Sequence, residues 1–249
     1  MVRIGCSGWN YDSWREALYP KGMGPARWLS EYSHHFDTVE VNSTFYRLAS
    51  RKAVEKWVAD TSDDFCFTVK ASRYLTHVKR LADAPEKGFT LAKGLQRFYE
   101  GIEPLTKAGK LGPTLWQLPA NFRRDDERLT NLLDRVPPGR HCVEFRDASW
   151  FADDVYDLLR RHDAALVIGD DPERPLPSAE PTASWSFLRL HRGSRGRRGN
   201  YSASELEQWA ERIADWRATG LDVYAYFNND WEAFGPRNAE KLKRLLAEV

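Results

Sequence analysis

Much that would commit a sequence early is scarce here. Only three cysteines, Cys6, Cys66 and Cys142, occur in 249 residues. An odd number without CxxC spacing offers no disulfide framework and no structural zinc site, and the apolar runs around them predict reduced, buried thiols. No apolar stretch reaches the roughly 18–20 residues of a membrane span, so no membrane partner is expected. The opening MVRIGCSGW reads as a strand rather than a signal peptide, and together these signs predict a cytoplasmic protein. Excess charge is missing too. A formal net charge of +1 argues against a wholesale polyanion binder while leaving room for a local basic patch. No GxGxxG follows the first strand, which removes the fingerprint of a dinucleotide-binding open sheet. Neither HxH nor HExxH occurs, so no metal-ligand spacing and no cofactor motif stands out.

What the chain does have is rhythm. Eight short strand patterns occur at 2–6 (VRIGC), 38–42 (TVEVN), 65–70 (FCFTVK), 114–118 (TLWQL), 142–146 (CVEFR), 165–169 (ALVIG), 186–191 (SFLRLH) and 223–228 (VYAYFN). Between most of them run apolar stripes at helical spacing, such as Trp28, Leu29, Tyr32 and Phe36, or Leu91, Leu95, Phe98 and Ile102. Ser202 and Glu205 form a capping-box pattern at the start of one helix, and Gly220 is placed to end it. Strand alternating with helix requires parallel strands joined by crossovers. Eight such units in about 250 residues match a single (β/α)8 barrel spanning 1–249. The Pro-rich stretch after the sixth strand (DDPERPLPSAEPT) predicts an irregular connection between strands six and seven.

The polar residues fall at one end of these strands. In VEVN, Val39 and Val41 share one face while Glu40 and Asn42 share the other. Strand five sets Cys142, Glu144 and Arg146 against Val143 and Phe145; strand three sets Cys66, Thr68 and Lys70 against Phe67 and Val69. Strand seven sets Phe187, Arg189 and His191 against Leu188 and Leu190, strand eight ends in Asn228, and Gln117 is the polar member of strand four. If the apolar sets pack on the helices, the polar sets face the barrel interior. Their charged members lie toward the C-terminal ends, where barrels of this type carry their active sites. Internally neutralised ion pairs would produce the same pattern, but concentrating them at one rim is a poor way to stabilise a barrel, since desolvation offsets their attraction.

The loops after the strands add aromatic and basic groups. Trp9, Tyr11, Tyr46, Tyr74, Phe122, Trp150 and Trp231 could form a ring of flat faces at the mouth, on which sugars and bases stack, or could pack the loops onto the barrel. Arg192, Arg195, Arg197 and Arg198 alternate with glycines after strand seven, a composition that suits phosphate. Glu40, Glu144, Asp170 and His191 are the residues that could hold a divalent ion, but Lys70 and the arginines beside the carboxylates would compete with it, so no metal is favoured.

Taken together, IGCSGW with Tyr11 and Trp14, TVEVNSTFY, FTVKASRYLTH, LGPTLWQLPANF, VEFRDASW, LRLH and YFNND with Asn238–Ala239 resemble the YecE-like family, also catalogued as domain of unknown function 72. These stretches run from the first strand to the last helix. The resemblance implies a (β/α)8-type barrel whose pocket comprises Glu40, Asn42, Tyr46, Lys70, Gln117, Glu144, Arg146, Arg189, His191, Asn228 and Asn229. It implies no reaction. One departure stands out: the family pattern places Gly directly after the histidine of strand seven, where this chain has Arg192.

The residues therefore predict an enzyme of hydrolase or lyase type acting on a phosphorylated, sugar-containing or nucleic-acid-derived substrate. Glu40, Glu144 and Lys70 are its expected catalytic groups, the two glutamates dividing acid and base roles. Asn42, Tyr46, Gln117, Arg146, Trp150, Arg189, His191, Asn228 and Asn229 are its expected substrate-binding groups. The alternative is a barrel that binds a ligand or nucleic acid without turning it over.

Overall fold

In the computed structural model, which describes residues 1–171, 180–194 and 199–248, eight strands close into one barrel. They are β1 (Val2–Ser7), β2 (Thr38–Val41), β3 (Cys66–Lys70), β4 (Leu111–Gln117), β5 (His141–Glu144), β6 (Ala165–Asp170), β7 (Trp185–Leu190) and β8 (Asp222–Phe227). Each pairs in parallel with the next, and β8 returns to pair with β1. The chain is a (β/α)8 barrel, as its alternation predicts.

The crossovers carry helices α1 (Trp28–His35), α2 (Ser43–Tyr46), α3 (Arg51–Ala59), α4 (Leu91–Lys107), α5 (Asp126–Leu133), α6 (Asp153–Arg161) and α7 (Ala203–Ala218), and α8 (Phe234–Ala247) follows the last strand. Several begin on side-chain caps: Ser50, Thr90 and Asp125 each accept a bond from the backbone N–H three residues on. The capping box of Ser202 and Glu205 is complete at α7, and Gly220 takes the left-handed conformation that ends it. Among the described residues no helix lies between β6 and β7. Residues 172–179, most of the Pro-rich connection, lie outside the described residues, as do Arg195, Gly196, Arg197 and Arg198 of the basic loop.

Three local readings are corrected. Strand β4 begins at Leu111 and includes Pro113, which lacks a ladder N–H; the register with β3 shifts between Phe67 and Val69 to accommodate this. Strand β5 stops at Glu144, so Phe145 and Arg146 lie beyond the ladder. The segment Ser43–Tyr46 forms a single helical turn directly after β2 rather than an open loop.

The alternation along each strand sorts two cores. Val39, Val41, Phe67, Val69, Val143, Leu188 and Leu190 pack outward under the helices. Cys66, Leu115, Cys142, Val167, Trp185, Phe187, Tyr224 and Tyr226 fill the barrel interior. All three cysteines are buried and free. Above this filling lies a layer of hydroxyls: Tyr226 Oη bonds Thr38 Oγ1 at 2.6 Å and Thr68 Oγ1 at 2.8 Å. That layer is the floor on which the charged residues rest.

Candidate functional site

Strand parity turns Ser7, Glu40, Lys70, Gln117, Glu144 and Arg189 toward the barrel axis at its C-terminal end. Arg189, on β7, is the hub. Its Nε donates to Glu40 Oε2 at 2.9 Å and its Nη2 to Glu40 Oε1 at 2.7 Å. Its Nη1 reaches across the barrel to Glu144 Oε2 at 2.7 Å. One guanidinium thus joins carboxylates from β2 and β5, using the planar fork that lysine lacks. The remaining lone pairs are taken up as well. Ser7 Oγ donates to Glu40 at 2.8 Å, Gln117 Nε2 to Glu144 Oε2 at 2.8 Å, and Arg146 Nε to Glu144 Oε1 at 3.0 Å.

Burial would by itself raise both carboxyl pKa values. The attraction of Arg189 outweighs it, helped by Lys70 and Ser7 at Glu40 and by Arg146 and Gln117 at Glu144, so both are held below the ordinary carboxylate range. Arg189 is pushed up by the same partners despite its own desolvation. Two glutamates in unlike surroundings, one keeping a proton, are therefore not what the sequence produces. Both are ionised and both are fixed.

Lys70 is different. It is 8% exposed, close to Glu144 at 7% and above Glu40 at 0% and Arg189 at 2%, while the Arg146 side chain is more exposed still. Its Nζ lies 4.4 Å from the centre of the Phe45 ring. Among the described residues it makes no hydrogen bond and no ion pair. Desolvation, then repulsion from Arg189, lowers its pKa to about 8, with Glu40 and Glu144 opposing more weakly. Glu40, Glu144, Arg146 and Arg189 already balance two charges against two, so the proton on Lys70 is the surplus one.

Around this core the expected site residues divide. Asn42 follows β2 directly, and its buried Oδ1 has no partner among the described residues. Asn228 Nδ2 lies 2.9 Å from His191 Nδ1, an arrangement that leaves the His191 proton on Nε2. Burial and then Arg189 lower the His191 pKa to about 4, so the ring is neutral at neutral pH. Tyr46 is 80% exposed and edges a cavity of about 470 Å³ between the loops after β2 and β3, which Arg47, Tyr74, Phe89 and Arg97 also line.

Two assignments are corrected. Trp150 is 0% exposed; its ring stacks on Phe145 at 4.8 Å and its indole N–H donates to the Phe122 carbonyl, so it has no face to offer a ligand. Asn229 is buried and its amide holds the Gly199 carbonyl at 3.0 Å, which makes it a tie between the loops after β7 and β8. Phe122 is likewise buried, and Asp170 accepts from the Trp209 indole instead of joining the cluster.

Sequence reasoning missed two contributors, Ser7 and Phe45, and His77, which the sequence places at the mouth, joins them. Ser7 is one residue beyond the strand pattern 2–6, yet the parity that turns Glu40 inward also turns Ser7 inward. Phe45 was hidden behind the more exposed Tyr46. His77, whose Nδ1 is 2.9 Å from Thr76 Oγ1, stands edge-on to Phe45 at 5.0 Å and has a pKa lowered to about 4 by burial, Lys70 and Arg146.

Among the described residues no group of three His, Cys, Asp or Glu converges on a point where a metal ion could sit. A second cavity, of about 490 Å³, opens at the opposite end of the barrel among Arg3, Cys66, Arg140 and Tyr224. Its arginines pair with Asp37 and Asp222, and none of the inward-facing charged cluster lines it.

A (β/α)8 barrel with a charged, hydrogen-bonded cluster at its C-terminal mouth is thus the class to which the chain belongs. Residues 3–249 match the family described as "Protein of unknown function DUF72", and the chain is a member of it. It is 26% identical to the UPF0759 protein YunF of Bacillus subtilis, covering 99% of this chain and 95% of that protein. It is 30% identical to the UPF0759 protein YecE of Escherichia coli over 61% of this chain and 51% of that one. A DUF72 family protein from Thermotoga maritima has a crystal structure that superposes with a TM-score of 0.85 at 29% identity, each chain covered to 99%. A D-psicose 3-epimerase from Clostridium cellulolyticum shares the fold, with a TM-score of 0.59 at 13% identity. No helix among the described residues is long and apolar enough to cross a membrane.

Proposed function

We propose that the chain is an enzyme of the lyase or hydrolase type, acting at the C-terminal mouth on a small anionic substrate that is phosphorylated or sugar-bearing. The observation that carries this reading is the contrast between Lys70 and its neighbours. Every other charge in the cluster is held by two or more bonds or by an ion pair, whereas among the described residues the Lys70 ammonium is buried without either. A buried, unpaired lysine lowers stability, and a pKa of about 8 gives it the proton affinity that acid–base catalysis near neutrality requires.

In this reading Lys70 moves the proton, while Arg189 and the two glutamates fix the field around it without reorganising. Once Lys70 is protonated the cluster has three cations against two carboxylates, which favours an anionic ligand. Among the described residues Asn42 Oδ1 is an acceptor without a partner and His191 Nε2 a donor bonded to no residue, both near the same end of the strands and suited to orienting hydroxyls. The exposed Tyr46 supplies a stacking face for a ring or base.

The test is a panel of sugar phosphates and nucleotide-derived sugars, with products followed by NMR for the wild type, Lys70→Met and Glu144→Gln. Turnover of one compound that Lys70→Met abolishes, in a variant still folded by circular dichroism, is the expected result. Equal turnover in the wild type and Lys70→Met would overturn the assignment.

A further inference from the structure

We infer that Lys70 acts as a nucleophile, forming an imine with a small aldehyde or ketone that carries a phosphate or carboxylate. This rests on the reading of the mouth as a catalytic site and narrows its substrate class.

A proton-transfer lysine needs only to meet a donor or acceptor; a nucleophilic one needs a free lone pair and an open approach. Lys70 supplies the first, and its 8% exposure is the surface through which a carbonyl would reach it. Its nitrogen has no hydrogen-bond partner among the described residues, and the face of Phe45 beneath it offers no atom that competes for the lone pair. Loss of its proton leaves Glu40, Glu144, Arg146 and Arg189 as a closed, electrically balanced set, so the site does not resist the neutral amine. Desolvation beside cationic groups is the means by which lysines are activated toward carbonyls.

The step balances as follows. The neutral amine adds to the carbonyl carbon, a C–N bond forms, and the carbonyl π pair passes to oxygen. That oxygen leaves as water after taking one proton from the nitrogen and one from solvent. The protonated imine restores at nitrogen the positive charge that Lys70 had given up, and it can draw the electron pair of a bond at the neighbouring carbon toward itself. With the imine formed, the cluster again has one positive charge in excess, which is the reason to expect a phosphate or carboxylate on the substrate.

The test incubates the full chain with sodium cyanoborohydride and, separately, glyceraldehyde 3-phosphate, pyruvate and neutral glyceraldehyde, at about pH 8, followed by intact mass and peptide mapping. Reduction should fix an adduct on the peptide containing Lys70, about tenfold faster than on any other lysine. The phosphate and carboxylate probes should both outpace neutral glyceraldehyde, and whichever leads identifies the anion preferred. Lys70→Arg, which keeps the charge but cannot form the imine, should show no such adduct while unfolding normally on heating. Labelling spread alike over surface lysines in the wild type and Lys70→Arg would overturn the proposal. So would Lys70-dependent turnover of a carbonyl substrate with no trapped adduct, an outcome that leaves the catalytic reading standing. Trapping at Lys70 without turnover of any compound would instead support the imine and count against the enzyme.

Discussion

Arg189 and Glu40 meet along two parallel bonds, of 2.9 and 2.7 Å, with neither side chain more than 2% exposed. A pair held this way is not a strong source of net stability, because desolvating both ions offsets most of their attraction. Breaking it is another matter. Arg189→Met leaves two buried carboxylates without their shared partner, and Glu40→Gln leaves a buried guanidinium short of one charge. Each should lower the free energy of unfolding by about 3–5 kcal/mol, read from urea titrations. Arg189→Lys should recover little of this, since an ammonium cannot span Glu40 and Glu144 together.

Lys70 should betray itself through pH. Its pKa falls from 10.5 unfolded to about 8 folded, so between those values the unfolded chain binds a proton that the folded one does not. Stability attributable to this residue therefore rises with pH across that window, and the full penalty applies below about pH 8. The difference is worth about 3 kcal/mol. Lys70→Met should be more stable than the wild type at pH 7 by about 1–3 kcal/mol, with the gap closing toward pH 10.5. Parallel stability curves would contradict the lowered pKa.

The histidines at the mouth have the same sign at lower pH. His191 and His77 both have pKa values lowered to about 4 from 6.5. The unfolded chain takes up protons first as pH falls through 6.5, so stability should decline between about pH 6.5 and 4. Ring resonances followed by NMR should show both residues neutral at pH 6, with His191 held by Asn228.

Two aromatic substitutions should separate packing from binding. Trp150→Ala removes a fully buried ring and its hydrogen bond to the Phe122 carbonyl, and should cost about 3–5 kcal/mol of stability. Tyr46→Ala removes an 80% exposed ring and should leave the thermal midpoint nearly unchanged while weakening ligand binding, measured by calorimetry with a substrate from the sugar-phosphate panel.

The barrel was legible because its signal is repeated: period-two strands alternate with helical stripes from Val2 to the last helix, and one misplaced boundary cannot undo eight units. The inward set was legible for the same reason, since parity alone puts Glu40, Lys70, Glu144 and Arg189 on one axis. What parity cannot give is which charge meets which. Glu40 could have met Lys70 as readily as Arg189, and only the reach of a guanidinium from β7 decides it. Nor does sequence say where a ring after a strand will turn. Tyr46 and Trp150 each stand four residues beyond an inward polar residue, yet the turn Ser43–Tyr46 leaves one outside and the turn Ala148–Trp150 folds the other under.

Beneath the charged cluster the barrel is closed by Phe187, Tyr226 and the two threonines that bond its hydroxyl. That plug is poorly polarisable compared with water, so field lines from the ions above it cannot spread downward and leave through the mouth instead. A molecule whose charges nearly cancel overall can in this way present a one-sided field. Capture of an anionic ligand should then slow steeply with added salt, despite a net charge of only +1.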